Sequence, residues 1–295
     1  MTTLNRLLLA ALFLPLAAAA ELPQSSPVPG GVAVVPLAVD SDAAPTVLFN
    51  GQRVLTVRQN RRWLAVVGLP LSLAPGQHTL RIRLGTTETQ TSFRVSPKKY
   101  ETQRLTIADK RHVEPLAEDQ SRITRDNEII NRAFATWSDT LADHLRFDKP
   151  AKGPFSSRFG LRRILNGQPR QPHSGLDIAA PEGTLVTAPA AGLVIETGDF
   201  FYTGNTIFLD HGQGLISMYI HLSRIDVEKG ARVTRGQGIG LVGKTGRTTG
   251  AHLHWAVSLN NTRVDPMLFL PPSSQAGASP PVPTATPVGK AANDG

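Results

Sequence analysis

Residues 252–259 read His252-Leu253-His254-Trp255-Ala256-Val257-Ser258-Leu259. Side chains on a β-strand alternate faces, so residues two or four apart share one. Read as a strand, this stretch sends Leu253, Trp255, Val257 and Leu259 into a core and places His252 and His254 together on the opposite face. Two upstream pieces have comparable spacing: His173-Ser174-Gly175-Leu176-Asp177 and Tyr219-Ile220-His221-Leu222. Pro172 and Gly175 argue against a helix in the first, which reads as a strand-like segment with His173 and Asp177 on one face. In the second, Tyr219 and His221 share a face by the same rule. Two imidazoles and a carboxylate, with two further histidines nearby, suit a zinc ion with one open coordination position. The fifth histidine of the region, His211, lies in Asp210-His211-Gly212, which reads as a turn.

Residues 151–271 around these pieces are Gly-rich and β-patterned. Val186, Leu193–Ile195, Thr206–Leu209, Ile216–Ile220, Val233 and Ile239–Val242 are short strands between glycine turns. The chain before them has a different texture. Residues 21–98 hold the apolar run Val32–Leu37 and the hairpin signal Asn50-Gly51 between Val47-Leu48-Phe49 and Val54-Leu55. Trp63–Val67 gives another strand, and Leu80, Ile82 and Leu84 alternate with Arg81 and Arg83. This predicts a β-sandwich of immunoglobulin-like size. His78, alone beside a turn, reads as a surface residue. Residues 99–150 form a connector. From Leu116 to about Leu141 it is charged and free of Gly and Pro, and Ile123, Ile130, Phe134, Trp137 and Leu141 recur at helical spacing. That stripe reads as packing, and His112 and His144 as bystanders. Residues 272–295 are Pro-, Ala-, Ser- and Thr-rich and too poor in large apolar residues to form a core.

Residues 1–20 read as an export signal. Arg6 gives the positive start, Leu7–Leu16 the apolar core and Ala18-Ala19-Ala20 the cleavage site. The expected location is therefore exported: periplasmic, cell-wall associated or secreted, with no membrane span after cleavage. The chain has no cysteine, so disulfides and lipid-modified cysteines are excluded. Its formal charge is +8, and the signal holds only one of the cations. For an exported protein the natural polyanions are wall polymers, membrane surfaces and carboxylate-bearing peptides. A nucleic-acid partner is not expected, because the charge is spread out and no nucleic-acid motif appears.

The order and surroundings of the motifs carry more than any one of them. Phe159-Gly160-Leu161-Arg162-Arg163, Asn166-Gly167 and Pro172 to Thr184 resemble the opening of the lysostaphin-like (LytM-type) zinc peptidoglycan endopeptidase domain. So do Gly204-Asn205, Asp210-His211-Gly212 and Met218 to Leu222, then Val227 to Gly230 and Gly236-Gln237. The match runs on through Thr245-Gly246 and Thr249 to Trp255, and ends at Val264-Asp265-Pro266. The resemblance spans residues 159–266 and leaves the N-terminal half aside. It implies an antiparallel β-sheet domain with an open groove, glycines 204, 243, 246 and 250 in tight turns at its walls, and one zinc ion. It implies His173, Asp177 and His254 as the metal ligands, a water in the fourth position, and His221 and His252 as catalytic histidines. The implied activity is metal-dependent hydrolysis of peptide cross-links in peptidoglycan; a monomer is expected, and residues 21–150 are a candidate surface for a regulator or inhibitor. Two other readings stay open at this level: a catalytically silent module that activates other wall hydrolases, and a secreted protease acting on proteins.

Overall fold

Trp63, Ala65 and Val67 alternate with Leu64 and Val66, and no residue of this run is strongly polar, so a strand here has two apolar faces to bury. A computed structural model of the chain, describing residues 21–108, 110–140 and 145–272, shows what covers each face. The first 75 or so described residues form a six-stranded antiparallel sheet from β1 (Val32–Pro36), β2 (Thr46–Phe49), β3 (Gln52–Gln59), β4 (Arg62–Gly68), β5 (Gly76–Leu84) and β6 (Thr87–Val95), in the order β1-β4-β3-β2-β5-β6. Strand β3 pairs with β2 over Gln52–Val54 and with β4 over Leu55–Gln59, so it passes from one layer to the other and the sheet curls into a half-barrel. Trp63, Ala65 and Val67 fill the inside of the curl with Val47, Phe49, Leu80 and Ile82. Leu64 and Val66 face outward, with Val32, Leu55 and Val57, and join the core of the C-terminal half.

The connector begins with β7 (Thr102–Leu105), continues through two single 3₁₀ turns and forms α1 (Gln120–Phe134). The helix is shorter than the stripe that predicts it. It stops at Phe134, and Trp137 lies beyond it against the Arg53 guanidinium, 4.2 Å from ring centroid to Cζ. Leu141 and His144 lie outside the described residues, as do the segment 1–20 and all but the first residue of 272–295. Among the described residues no helix is long and apolar enough to cross a membrane.

The C-terminal half adds β8 (Phe155–Ser157), β9 (Arg162–Leu165), β10 (Gln168–Arg170), β11 (Leu176–Ala179), β12 (Leu185–Thr187), β13 (Gly192–Phe200) and β14 (Gly204–Asp210). It closes with β15 (Ile216–Ile225), β16 (Arg232–Val233), β17 (Gly238–Val242), β18 (His252–Leu259) and β19 (Thr262–Val264). Its main sheet runs β16-β13-β14-β15-β18-β11-β8, with β12, β17 and β19 attached, and every pair in it is antiparallel. The protein is thus mainly β, with one α-helix among the described residues. Both faces of the main sheet are covered. Leu253, Trp255, Val257 and Leu259 lie in the large core, whereas Ala256, Met218 and Ile220 pack beneath Ala133 and Phe134 of α1. The apolar stripe of α1 is therefore spent on packing.

Two side-chain amides tie the halves together. Asn260, in the turn after β18, accepts from the Gly68 N–H at 2.7 Å and donates to the Gly68 carbonyl at 3.0 Å. Gln213 does the same for Thr56, at 3.1 and 3.3 Å. Both residues have positive φ, 41° and 48°, which turns their side chains toward the backbone edges of β4 and β3. The turn predicted at His211 is buried and built around a hydrogen-bond chain. The His211 Nδ1–H donates to the Ala191 carbonyl (2.8 Å), Ser217 donates to Nε2 (2.7 Å), and Tyr219 lies 2.8 Å from the Ser217 hydroxyl.

Two predictions follow from these contacts. Asn260→Ala leaves both polar groups of Gly68 buried and unpaired, so urea denaturation should show a loss of about 1–3 kcal/mol. Burial lowers the His211 pKa to about 4, so the folded state resists a proton that the unfolded chain accepts near pH 6.5. Its contribution is complete above about pH 6.5 and is lost as the pH falls toward 4, a change on the order of 3 kcal/mol. The stability of His211→Gln should depend less steeply on pH across that window; equal slopes would refute the assignment.

Candidate metal centre

Cross-strand register builds the centre. Asp177 of β11 sits directly opposite His254 of β18, and Ala179 opposite His252, so the carboxylate and both imidazoles share one face. His173 arrives differently from the reading of its spacing. The strand begins only at Leu176, and His173 lies in the preceding loop. Its ring is held by an Nδ1–H bond to the Arg158 carbonyl at 2.7 Å, which leaves Nε2 with a free lone pair. That atom lies 2.9 Å from Asp177 Oδ1 and 2.8 Å from His254 Nδ1, and the latter two are 2.7 Å apart. The three residues are buried.

Gly175 makes room for this approach. A Cβ there would lie 2.6 Å from the Trp255 carbonyl and 2.7 Å from His254 Cε1.

His221 reaches the site through a break in β15. Tyr219 pairs with Ile207 and Leu222 with Asn205, so Ile220 and His221 together face the single residue Thr206. This is a β-bulge, and His221 takes a φ of 65° within it. The bulge corrects the shared face expected for Tyr219 and His221. Tyr219 pairs with Trp255 and is buried in the core, while His221 is turned to the metal face. Its Nδ1–H donates to the Thr245 carbonyl at 2.7 Å. His252 is fixed the same way, Nδ1–H to the Gly250 carbonyl at 2.8 Å, and its Nε2 lies 3.8 Å from Asp177 Oδ1. The two rings are 4.9 Å apart. All five residues singled out in the sequence therefore meet at one place. Of the four glycines, Gly204 and Gly246 have positive φ and pack against each other's loops, and Gly243 sits under Ser223 in a close backbone approach. Gly250 has open space around it.

Electrostatics favour the metal-binding forms of Asp177 and His254. Burial alone would raise the Asp177 carboxyl, but the His173 and His254 imidazoles outweigh it and hold the group well below the carboxylate range. Burial lowers His254 to about 4, against the pull of Asp177. Burial lowers His221 to about 3, helped by repulsion from His252 and His254. One carboxylate oxygen and two imidazole nitrogens directed at a common point form a donor set for a borderline-soft dication such as zinc, and three protein ligands leave a position open.

The centre floors a cleft of about 290 Å³ whose lining includes His221, His252, Asp177 and residues that the sequence reading passed over. Gln103, Leu105 and Ile107, in and just after β7, form one wall. They get there because β7 pairs in parallel with β9, in a small sheet β10-β9-β7 beside the site. Arg163 and Arg247 also face the cleft. Arg163 lies in a motif quoted above and Arg247 follows Thr245-Gly246, but only tertiary pairing brings them together.

The profile of Peptidase family M23 matches residues 171–266, and that of the Peptidase family M23 N-terminal domain matches residues 25–98. A solved structure from Pseudomonas aeruginosa, assigned to peptidase M23, is 46% identical over 83% of this chain and 95% of its own, with a TM-score of 0.72. The chain belongs to peptidase family M23. The peptidoglycan DD-endopeptidase ShyA of Vibrio cholerae is 37% identical over 52% of this chain and 33% of its own length. The DD-carboxypeptidase/endopeptidase Mpg of Neisseria meningitidis is 38% identical over 41% of this chain and 28% of its own. The matched stretch thus spans about a third of each named relative.

For this M23 chain, Gly175→Ala should displace the His254 ring without unfolding the sheet. A chromophoric chelator competition should report metal affinity reduced about 10–100-fold, the range typical of disturbed ligand support, with an unchanged far-UV circular dichroism spectrum.

Proposed function

We propose that the protein is an exported zinc-dependent endopeptidase that hydrolyses peptide cross-links in peptidoglycan. The observation that carries this reading is the convergence of His173, Asp177 and His254 on one point, with the Nε2 atoms of His221 and His252 beside it in an open cleft. His173 through Nε2, His254 through Nδ1 and Asp177 through a carboxylate oxygen would hold the ion. Bound there, zinc would supply Lewis acidity toward a peptide carbonyl and bring the pKa of water down from about 15.7 to near 7.

The chain's own residues supply the proton handling and orientation. With both Nδ1–H groups committed to main-chain carbonyls, His221 and His252 present Nε2 lone pairs to the cleft. One can take the proton of the attacking water and pass it to the leaving amine; the other, once protonated, can hold the developing oxyanion. Strand β7 walls one side of the cleft, where an extended peptide would lie. Export, periplasmic or wall-associated location and the monomeric state belong to this proposal, as does the division into a β-domain over 21–98, a connector over 99–150 and the peptidase domain over 151–271. The names of ShyA and Mpg support the wall peptide as substrate, and the basic charge of the chain suits an anionic polymer.

The test is incubation of the full chain, loaded with zinc, with purified cross-linked peptidoglycan, read by mass spectrometry. Conversion of dimeric to monomeric muropeptides that stops on chelation is the expected result. His254→Ala and Asp177→Ala should lose zinc and turnover together. His252→Ala should keep zinc and lose about 10²–10⁴-fold in turnover, the usual worth of a positioned acid–base group. Bound zinc without cleavage of wall or protein substrates would replace this reading with that of a silent module that activates other hydrolases.

A further inference from the structure

The cleft beside the metal centre holds more positive charge than its own carboxylate answers. Arg163 and Arg247 both face it, and among the described residues Asp177 is the one acidic side chain in its lining. Arg163 reaches Asp177 Oδ2 at 3.2 Å and the Ser157 hydroxyl at 3.5 Å. Its Nε is buried with no hydrogen-bond partner. Buried N–H groups are rarely left so, because the desolvation is uncompensated. Arg247 is less well served. Its guanidinium stacks on Tyr202, Cζ to centroid 4.5 Å, and its one hydrogen bond, to the His112 carbonyl, is 3.4 Å long, beyond the usual N–H···O range. Among the described residues it has no carboxylate partner. Burial disfavours its charge, and Arg163 and Arg170 repel it further. A dication on His173, Asp177 and His254 would make the imbalance larger still.

Two planar guanidiniums short of acceptors, at the rim of a cleft that takes a peptide, match the planar fork of a carboxylate. We propose that Arg247, assisted by Arg163, forms a carboxylate subsite that recognises a free carboxylate on the substrate peptide next to the bond to be cut. This rests on the peptidase reading above and names the feature of the peptide that the site selects. The Tyr202 ring holds the Arg247 fork in plane, and the His112 carbonyl gives way when a stronger acceptor arrives. Arg163, shared with a metal-ligating carboxylate, is a positioning residue for Asp177 as well, so Arg247 is the position at which the subsite can be tested without disturbing the metal.

The experiment uses the full zinc-loaded protein and two cross-linked muropeptides, identical except that the residue on the leaving side carries its α-carboxylate in one and a carboxamide in the other. Binding is measured by isothermal titration calorimetry, and cleavage is followed separately. The wild type should bind the carboxylate form about tenfold more tightly or better, as expected for a charge-assisted pair. Arg247→Gln should lose that preference by weakening the carboxylate form alone, and Arg247→Lys should keep part of it. Zinc content and thermal unfolding of the variants should equal those of the wild type. Equal binding of the two peptides by the wild type, binding of neither, or a preference that survives in Arg247→Gln overturns the subsite. A preference present in binding while neither peptide is cut supports the subsite and counts instead against the peptidase reading.

Discussion

Three lone pairs held within 2.9 Å of one another, where little solvent reaches, are the constraint on which the rest of this structure depends. Left to themselves, a carboxylate and two imidazole nitrogens would each prefer water. They stay together because each is fixed from behind: Asp177 by strand pairing and Arg163, His254 by its place in a fully packed strand, His173 by the Arg158 carbonyl. Such preorganisation is what lets a metal site bind one ion in one geometry. The same device recurs one layer out, where His221 and His252 are each aligned by an Nδ1–H bond to the main chain.

A rigid floor for the site needs a sheet that cannot flex, and burial of both faces provides it. One face packs on a core that continues into the N-terminal half-barrel; the other is covered by α1. The N-terminal half is therefore more than a neighbour. Val32, Leu55, Val57 and Val66 belong to the larger core, and the Asn260 and Gln213 amides hold the backbone at Gly68 and Thr56. The connector completes the cleft by adding β7 alongside β9. A fragment starting at residue 151 would keep the metal donors and lose one wall of the cleft they serve.

Charge follows the same division of labour. The chain's surplus of cations is spread along its length, but folding concentrates two arginines beside the metal centre and leaves them under-coordinated. A partly buried guanidinium short of close acceptors is costly, so its persistence points to a partner that arrives with the ligand.

The sequence by itself determined the mainly β class and singled out five candidate residues that the fold brings together, because strand periodicity and local spacing are written in consecutive residues. His252 and His254 could be placed on one face opposite Leu253 and Trp255 from alternation alone. Where local order breaks, the reading breaks with it. A bulge between Tyr219 and Leu222 reverses the side of the sheet that His221 faces, and His173 reaches the site from a loop because the strand starts three residues later. Only the tertiary structure decided that the connector supplies a wall and that Arg163 and Arg247 face one cleft. Parallel pairing of β7 with β9, and the meeting of residues 84 positions apart, are set by long-range packing, which leaves no periodic trace in the chain.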